Sequence, residues 1–172
     1  MKPILCLLVA ILMACSAHGQ TPKPASKPKL VARLEIAADG SVRVFHTDGA
    51  EVVVPKEKDQ ASSESTGVAE GGEAAGWLAT FEGCCQSYAI PTMLVVYRPG
   101  MALRRFGDGR FLAGWVFVND PKQVAFCSTS AHGNPNPHYE LRDIETGRLL
   151  EEWNGPTNEK TPKWVHWIAA DQ

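Results

Sequence analysis

The 172-residue sequence predicts an all-β fold made of antiparallel meanders, and three observations support this prediction. Asp-Gly pairs at positions 39–40 and 48–49 are each flanked by apolar and β-branched residues, a pattern typical of strands joined by tight turns. Two later segments, which begin at Ala74 and Gln123, share one succession of short strands and turns. Between them the run FLAGWVFV at 111–118 predicts a further strand.

The first meander is predicted to have three strands within residues 30–55, LVARLEIAADGSVRVFHTDGAEVVVP. Neighbouring side chains of a strand point to opposite faces, so its middle strand has two distinct sides. One side carries Val42, Val44 and His46, and the other carries Arg43, Phe45 and Thr47. This alternation allows one side of the sheet to be buried.

A mobile loop is predicted for residues about 57–73. The segment from Glu57 to Gly76, EKDQASSESTGVAEGGEAAG, is rich in Ser, Glu and Gly and low in hydrophobic residues. Only its last few residues are expected to enter the strand that follows.

The two repeated segments follow one plan. Each opens with a short apolar strand and continues through a polar loop with a proline near its end, a second strand, a glycine turn and a third strand. The glycines of the turns, Gly100 and Gly147, are 47 residues apart, and so are the aromatic residues of the third strands, Phe106 and Trp153. A constant offset in a β-rich region indicates a repeated structural unit.

The N-terminal residues 1–19 are predicted to be a secretory signal peptide. Lys2 supplies the positive charge, and Ile4 to Met13 form an apolar run too short for a membrane span. Two cleavage registers stay open: Ala17-His18-Gly19 suits ordinary secretion, whereas a bacterial lipobox would end at Cys15, the lipidation candidate. A Pro/Lys-rich tether at 20–29 and a single β domain at 30–168 are expected to follow. The protein is therefore predicted to be secreted or periplasmic, with an envelope lipoprotein as the alternative.

The segment HYELRDIETGRLLEEWNG, from His138, resembles the end of a blade in WD-repeat-like β-propellers. The likeness is clearest at Asp143, Thr146-Gly147-Arg148 and Trp153. It implies blade-like meanders, two to three blade equivalents in all, which form a partial propeller or a small sandwich. The chain also resembles a group of secreted bacterial proteins with the features GWL…CC…SY.IP and HYELRD..TGRL, a likeness that brings no activity with it.

The cysteines that remain after the leader suit an oxidising compartment. The disulfide candidates are Cys84, Cys85 and Cys127, and we expect Cys127 to pair with one of the adjacent two; a Cys84–Cys85 disulfide is the other option. The predicted loops at 82–90 and 128–137 occupy equivalent repeat positions, so they are expected to emerge on one face. That face would carry the binding-loop candidates Tyr88, His132 and His138. An alternative is a metal or thiol-redox site built from Cys84, Cys85, Cys127, His132 and His138.

Composition and missing motifs narrow the function. The net charge of −2 provides no basic field for nucleic acid. The sequence lacks a nucleophile elbow, a phosphate-binding loop, a dinucleotide fingerprint and a His-Glu-x-x-His motif. We therefore expect neither enzymatic activity nor a cofactor. The prediction is an exported binding or assembly module of the cell envelope. Its expected partners are an envelope protein or glycan, or a second copy through a sheet edge, with membrane contact only through a leader or lipid anchor.

Overall fold

The computed structural model describes residues 29–83, 87–119, 121–130 and 136–170. These residues form eleven strands, one short α-helix and a single 3-10 turn at Glu70–Gly72, which confirms the predicted all-β class. The elements are β1 (Val31–Ile36), β2 (Val42–His46), β3 (Glu51–Val54), β4 (Gln60–Val68), β5 (Ala75–Glu82), β6 (Ala89–Tyr97), β7 (Arg104–Phe106), β8 (Phe111–Val118), β9 (Gln123–Thr129), β10 (His138–Asp143), β11 (Leu149–Asn154) and α1 (Lys163–Ala170).

The strands of the described residues are arranged in three antiparallel sheets. The N-terminal sheet has the order β1-β2-β3, the middle sheet β4-β5-β6-β7, and the C-terminal sheet β11-β10-β9-β8. Each sheet is a meander in which every strand pairs with its sequence neighbour. The predicted first meander is confirmed, and Gly40 and Gly49 have the positive φ angles, +86° and +84°, that its two turns require.

The prediction of a loop at residues about 57–73 is wrong, because Gln60–Val68 form β4, which pairs with β5. The strand is polar because it lies at the edge of the middle sheet, where four of its nine residues are exposed and two are buried. Its buried polar groups are paired: the Gln60 side-chain amide donates to the Ser63 hydroxyl at 2.9 Å, and that hydroxyl donates to the Gly40 carbonyl at 2.9 Å. Hydrogen bonds thus replace the apolar contacts that usually mark a strand.

The repeat predicted from the 47-residue offset is confirmed and is one strand longer than predicted. Gly100 and Gly147 occupy equivalent turns with φ angles of +78° and +76°. The strand predicted at 111–118 is β8, the first strand of the C-terminal sheet, and β4 is its counterpart in the middle sheet. Each repeat is therefore a four-stranded blade-like sheet, and no sheet in the described part of the chain closes on itself.

Three hydrophobic clusters hold the layers together. The first joins the N-terminal sheet to the middle sheet and centres on Val44 and Trp77. The second joins the middle sheet to the C-terminal sheet through Leu94 and Phe126. The third packs α1 on the other face of the C-terminal sheet, where Val165 is fully buried. The described residues thus form a stack of three sheets and one α-helix.

Both ends of this stack are closed to a further sheet. The outer face of the N-terminal sheet carries an Arg33–Glu35 ion pair and an Arg43–Glu51 pair at 3.8 Å, and the Arg33 guanidinium lies 3.7 Å from the centre of the Phe45 ring. Stacking another blade here would remove these charges from water at a high cost. At the opposite end α1 covers the C-terminal sheet. Among the described residues, no helix is long and apolar enough to cross a membrane.

Candidate functional site

The six sheet edges of the described structure differ in how well they are protected against pairing with another chain. Five edge strands carry a charge that discourages added strands: Arg33 on β1, Glu51 on β3, Glu64 on β4, Arg104 on β7 and Glu151 on β11. The sixth, β8, is eight residues long and contains neither a charge nor a proline. Among the described edge strands, β8 is therefore the one that is long, apolar and free of charged residues and proline.

A cleft of about 540 Å³ runs along the edge of β8. It is lined by five consecutive residues of β8, 113–117, and by residues 65–70 of β4 and the turn that follows. Ile168 of α1 completes the lining. Consecutive strand residues point to opposite faces, so a cavity that contacts all of them follows the strand edge itself. The β8 edge is thus the floor of a groove, with β4 and Ile168 beside it; we call this groove the β8 cleft.

The β4 wall of the β8 cleft is irregular. A register shift interrupts β4 between Glu64 and Gly67, and within it Ser65 has a φ of +49°. A serine in the left-handed region is uncommon, and such backbone is held in place by its surroundings. Here the Trp115 indole Nε1–H donates to the Ser65 carbonyl at 2.9 Å. The bulge therefore turns one β4 carbonyl towards β8.

Trp115 fits against the middle sheet because two glycines leave room for it. A Cβ placed on Gly76 would lie 2.8 Å from the Trp115 ring, and one on Gly67 would lie 3.0 Å from it. Phe117 supports the indole from the same strand in an edge-to-face contact with centroids 5.1 Å apart. The two glycines and this aromatic pair fix the spacing between β4 and β8, and so the width of the β8 cleft.

The chemistry of the β8 cleft is largely uncharged. Glu70 is the one ionisable residue among those that line it in the described structure, and it is exposed. Ser65 and Thr66 add exposed side-chain hydroxyls, and the β8 residues are all apolar or glycine. The arrangement can bind an uncharged or weakly basic group, and its polar side chains are the Glu70 carboxylate and the hydroxyls of Ser65 and Thr66.

The described binding-loop candidates lie outside the β8 cleft. Tyr88 is 69% exposed just before β6. His138 begins β10, where its Nδ1 lies 2.7 Å from the Asn154 Oδ1 and its Nε2 lies 3.0 Å from the Glu140 Oε1. Both ring nitrogens of His138 therefore have partners within its own sheet. The third candidate, His132, lies outside the described residues.

Cys127 carries a free thiol in the structure and is 3% exposed, beneath α1. Burial raises the pKa of the thiol, although a hydrogen bond from Tyr139 acts in the opposite direction. Burial and the neighbouring Cys127 raise the pKa of Tyr139 to about 12. Cys15, Cys84 and Cys85 lie outside the described residues, so the predicted disulfides and lipid anchor stay predictions.

The structure does not bring Cys127 and His138 together as the metal alternative requires. Cys127 pairs in register with Tyr139, and both belong to the cluster under α1. His138 is one residue away on β10, and its side chain therefore points to the opposite face of the sheet. The described residues contain no group of three metal-ligating side chains.

We expect the buried thiol of Cys127 to resist alkylation in the native protein. With Cys6, Cys15, Cys84 and Cys85 each replaced by serine, its reaction with iodoacetamide should be at least about tenfold slower than in denaturant, because the thiol is both protonated and covered. The reaction is followed by mass at neutral pH. Equal rates with and without denaturant would contradict the placement of α1 over Cys127.

Comparison with protein-family models finds no match for this chain, and comparison with curated proteins finds none either. Its function is therefore inferred from the geometry of its own residues.

Proposed function

We propose that the protein is an exported, non-catalytic binding module of the bacterial cell envelope and that the β8 cleft is its recognition surface. The observation that supports this proposal is an unguarded apolar strand edge at the floor of a groove. Sheet edges left bare promote aggregation, and folded proteins commonly protect them with charge, proline or a covering element. A strand edge that lacks these protections but lies at the base of a cleft is suited to pairing with a specific partner.

The architecture fits a partial propeller of the WD-repeat-like type, and we include this likeness in the proposal. The turn between β10 and β11 supports it: the Asp143 carboxylate accepts from the Thr146 backbone N–H at 2.7 Å and from the Thr146 hydroxyl at 2.6 Å. These bonds lower the pKa of Asp143. In this proposal β4 and β8 are the first strands of adjacent blades, and the β8 cleft lies between them.

The non-catalytic part of the proposal is supported by the most polar row of the C-terminal sheet, His138, Glu140 and Arg142. Glu140 accepts from Arg142 at 2.6 Å and faces His138 at 3.0 Å, so these groups satisfy one another. Such a row stabilises a strand, and both ring nitrogens of His138 contact side chains of its own sheet. The metal or thiol-redox alternative depends on Cys84, Cys85 and His132, and it stays a prediction.

Capture from an envelope extract tests the proposal with a matched pair of variants. Thr66→Arg places a long cation in the β8 cleft, and Thr47→Arg adds the same charge at an exposed turn of the N-terminal sheet. We expect components retained by the immobilised wild-type chain to fall by about tenfold with Thr66→Arg, equivalent to about 1.4 kcal/mol, and to be unchanged with Thr47→Arg. Quantitative mass spectrometry gives the ratio. The proposal is wrong if the two variants retain the same components equally.

A further inference from the structure

We infer that the β8 cleft takes an extended polypeptide segment, which pairs with β8 as a fifth strand of the C-terminal sheet. This inference rests on the proposed function and names the class of its partner. Its basis is the backbone of β8, the shape of the β8 cleft and the chemistry of its walls.

The backbone of β8 supplies the main interaction. β8 pairs with β9 from Phe111 to Val118, with a register shift between Leu112 and Gly114, and no strand of the described residues pairs with its other edge. In an antiparallel ladder every second residue directs its N–H and C=O away from the partner strand, so an edge strand offers a row of donors and acceptors. Strand addition satisfies such a row and obtains its affinity from main-chain hydrogen bonds.

The shape of the β8 cleft favours one strand over a second copy of this protein. The edge of β8 lies between residues 65–70 on one side and Ile168 on the other. In a second copy the edge of β8 is recessed in the same way, so the walls of both copies would meet before the two edges did. A single extended segment has no such walls and can reach the floor.

The walls indicate which side chains the segment carries. Trp115 and Phe117 belong to the cluster between the middle and C-terminal sheets, and Val116 belongs to the cluster under α1, so both sides of β8 are apolar. β-Branched residues pack well beside such a surface. Glu70 is the charged lining residue, so a basic residue at one end of the segment complements it. The expected ligand is an extended segment of β-branched residues with a lysine or arginine at one end.

The probe is a blocked peptide of alternating valine and threonine with a lysine at one end. Two further peptides carry N-methyl groups on alternate residues, each along one edge of the extended chain. We expect the parent peptide to bind by calorimetry and to slow amide hydrogen exchange in β8. One methylated peptide should lose at least about tenfold in affinity and the other should bind as the parent does, because only one edge pairs with β8.

A charge exchange locates the end of the peptide. Glu70→Lys should weaken binding of the lysine-ended peptide by about two- to fivefold, the size expected for an exposed ion pair. A peptide with glutamate at that end should regain the lost affinity on this variant. Glu73→Lys is the matched control, since Glu73 is exposed nearby but does not line the β8 cleft.

Two outcomes would overturn strand addition without overturning the proposed function. In the first, Thr66→Arg abolishes envelope capture but none of the peptides binds, or both methylated peptides bind equally well. In the second, the free protein is a dimer by light scattering, its β8 amides already exchange slowly, and Thr66→Arg makes it a monomer. The occupant of the β8 cleft is then a second copy of the chain. If Thr66→Arg does not change which envelope components the chain retains, the proposed function itself is wrong.

Discussion

Phe126→Ala should lower the free energy of unfolding by about 3–5 kcal/mol, because it opens a cavity where two sheets meet. Phe126 is 2% exposed and lies on β9, in the cluster that joins the middle and C-terminal sheets. Its ring centre is 6.2 Å from that of Phe106, and Leu94 of the same cluster is fully buried. The contacts involve both repeats, so neither sheet can easily move to fill the space.

Urea unfolding followed by tryptophan fluorescence measures this loss. For a chain of this size, about 2–4 °C is lost per kcal/mol, so the melting temperature should fall by roughly 6–20 °C. Phe45→Ala is the control, since Phe45 lies half-buried on the outer face of the N-terminal sheet under Arg33. It should cost about 1 kcal/mol. Equal losses for the two variants would contradict the face-to-face packing of the sheets.

The first meander and the repeat could be predicted because their signals are local. Each Asp-Gly turn is determined by residues next to it: the Asp39 carboxylate accepts from the Ser41 backbone N–H at 3.0 Å, and Gly40 provides the positive φ. The 47-residue offset needs only a comparison of the chain with itself. Neither prediction depends on how the sheets pack.

β4 could not be predicted because its stability comes from distant residues. Its sequence is typical of a loop, yet Thr80 on β5 accepts from the Ser62 backbone N–H at 3.1 Å and Ser63 bonds to Gly40. A polar segment becomes an edge strand only when a neighbouring sheet provides these partners. Composition alone reports the missing apolar residues and not the hydrogen bonds that replace them.

The candidate site was missed for a related reason. FLAGWVFV was predicted as a strand, but the same letters suit a central strand, and only the sheet order makes β8 an edge. The sequence directed attention to the loops of Tyr88 and His138, because polar loop residues are the more familiar recognition groups. The sequence carries no local signal that singles out this strand, because the predicted strands at 76–81 and 124–128 also lack charged residues.

α1 was also missed, although its signal is present. Trp164, Val165 and Ile168 have the spacing of one helix face, and all three are buried against the C-terminal sheet. The segment has only eight residues, too few for a stable helix without tertiary contacts. Its place in the fold therefore depends on the apolar face that the C-terminal sheet presents.

Val165→Asp should detach α1 from the C-terminal sheet and cost about 3 kcal/mol or more. Val165 has no exposed surface, and the hydrophobic cluster around it contains apolar side chains together with the Cys127 thiol and the Tyr139 hydroxyl. An unpaired carboxylate is too costly to bury there, so undocking of the helix is the cheaper response. The exposed face of the sheet would then include Cys127, whose alkylation should accelerate together with the loss of stability.

His166→Asp separates this effect from the properties of the helix itself. His166 is exposed on the next position of α1, in its first turns, where a carboxylate is compatible with the helix dipole. It should change stability by no more than about 0.5 kcal/mol and leave Cys127 protected. Urea unfolding and the alkylation rate of Cys127 are measured on both variants. If Val165→Asp unfolds no more easily than His166→Asp and leaves the thiol as slow, α1 does not cover the C-terminal sheet. If only the alkylation rate rises, α1 docks as a local unit whose release leaves the three-sheet stack intact.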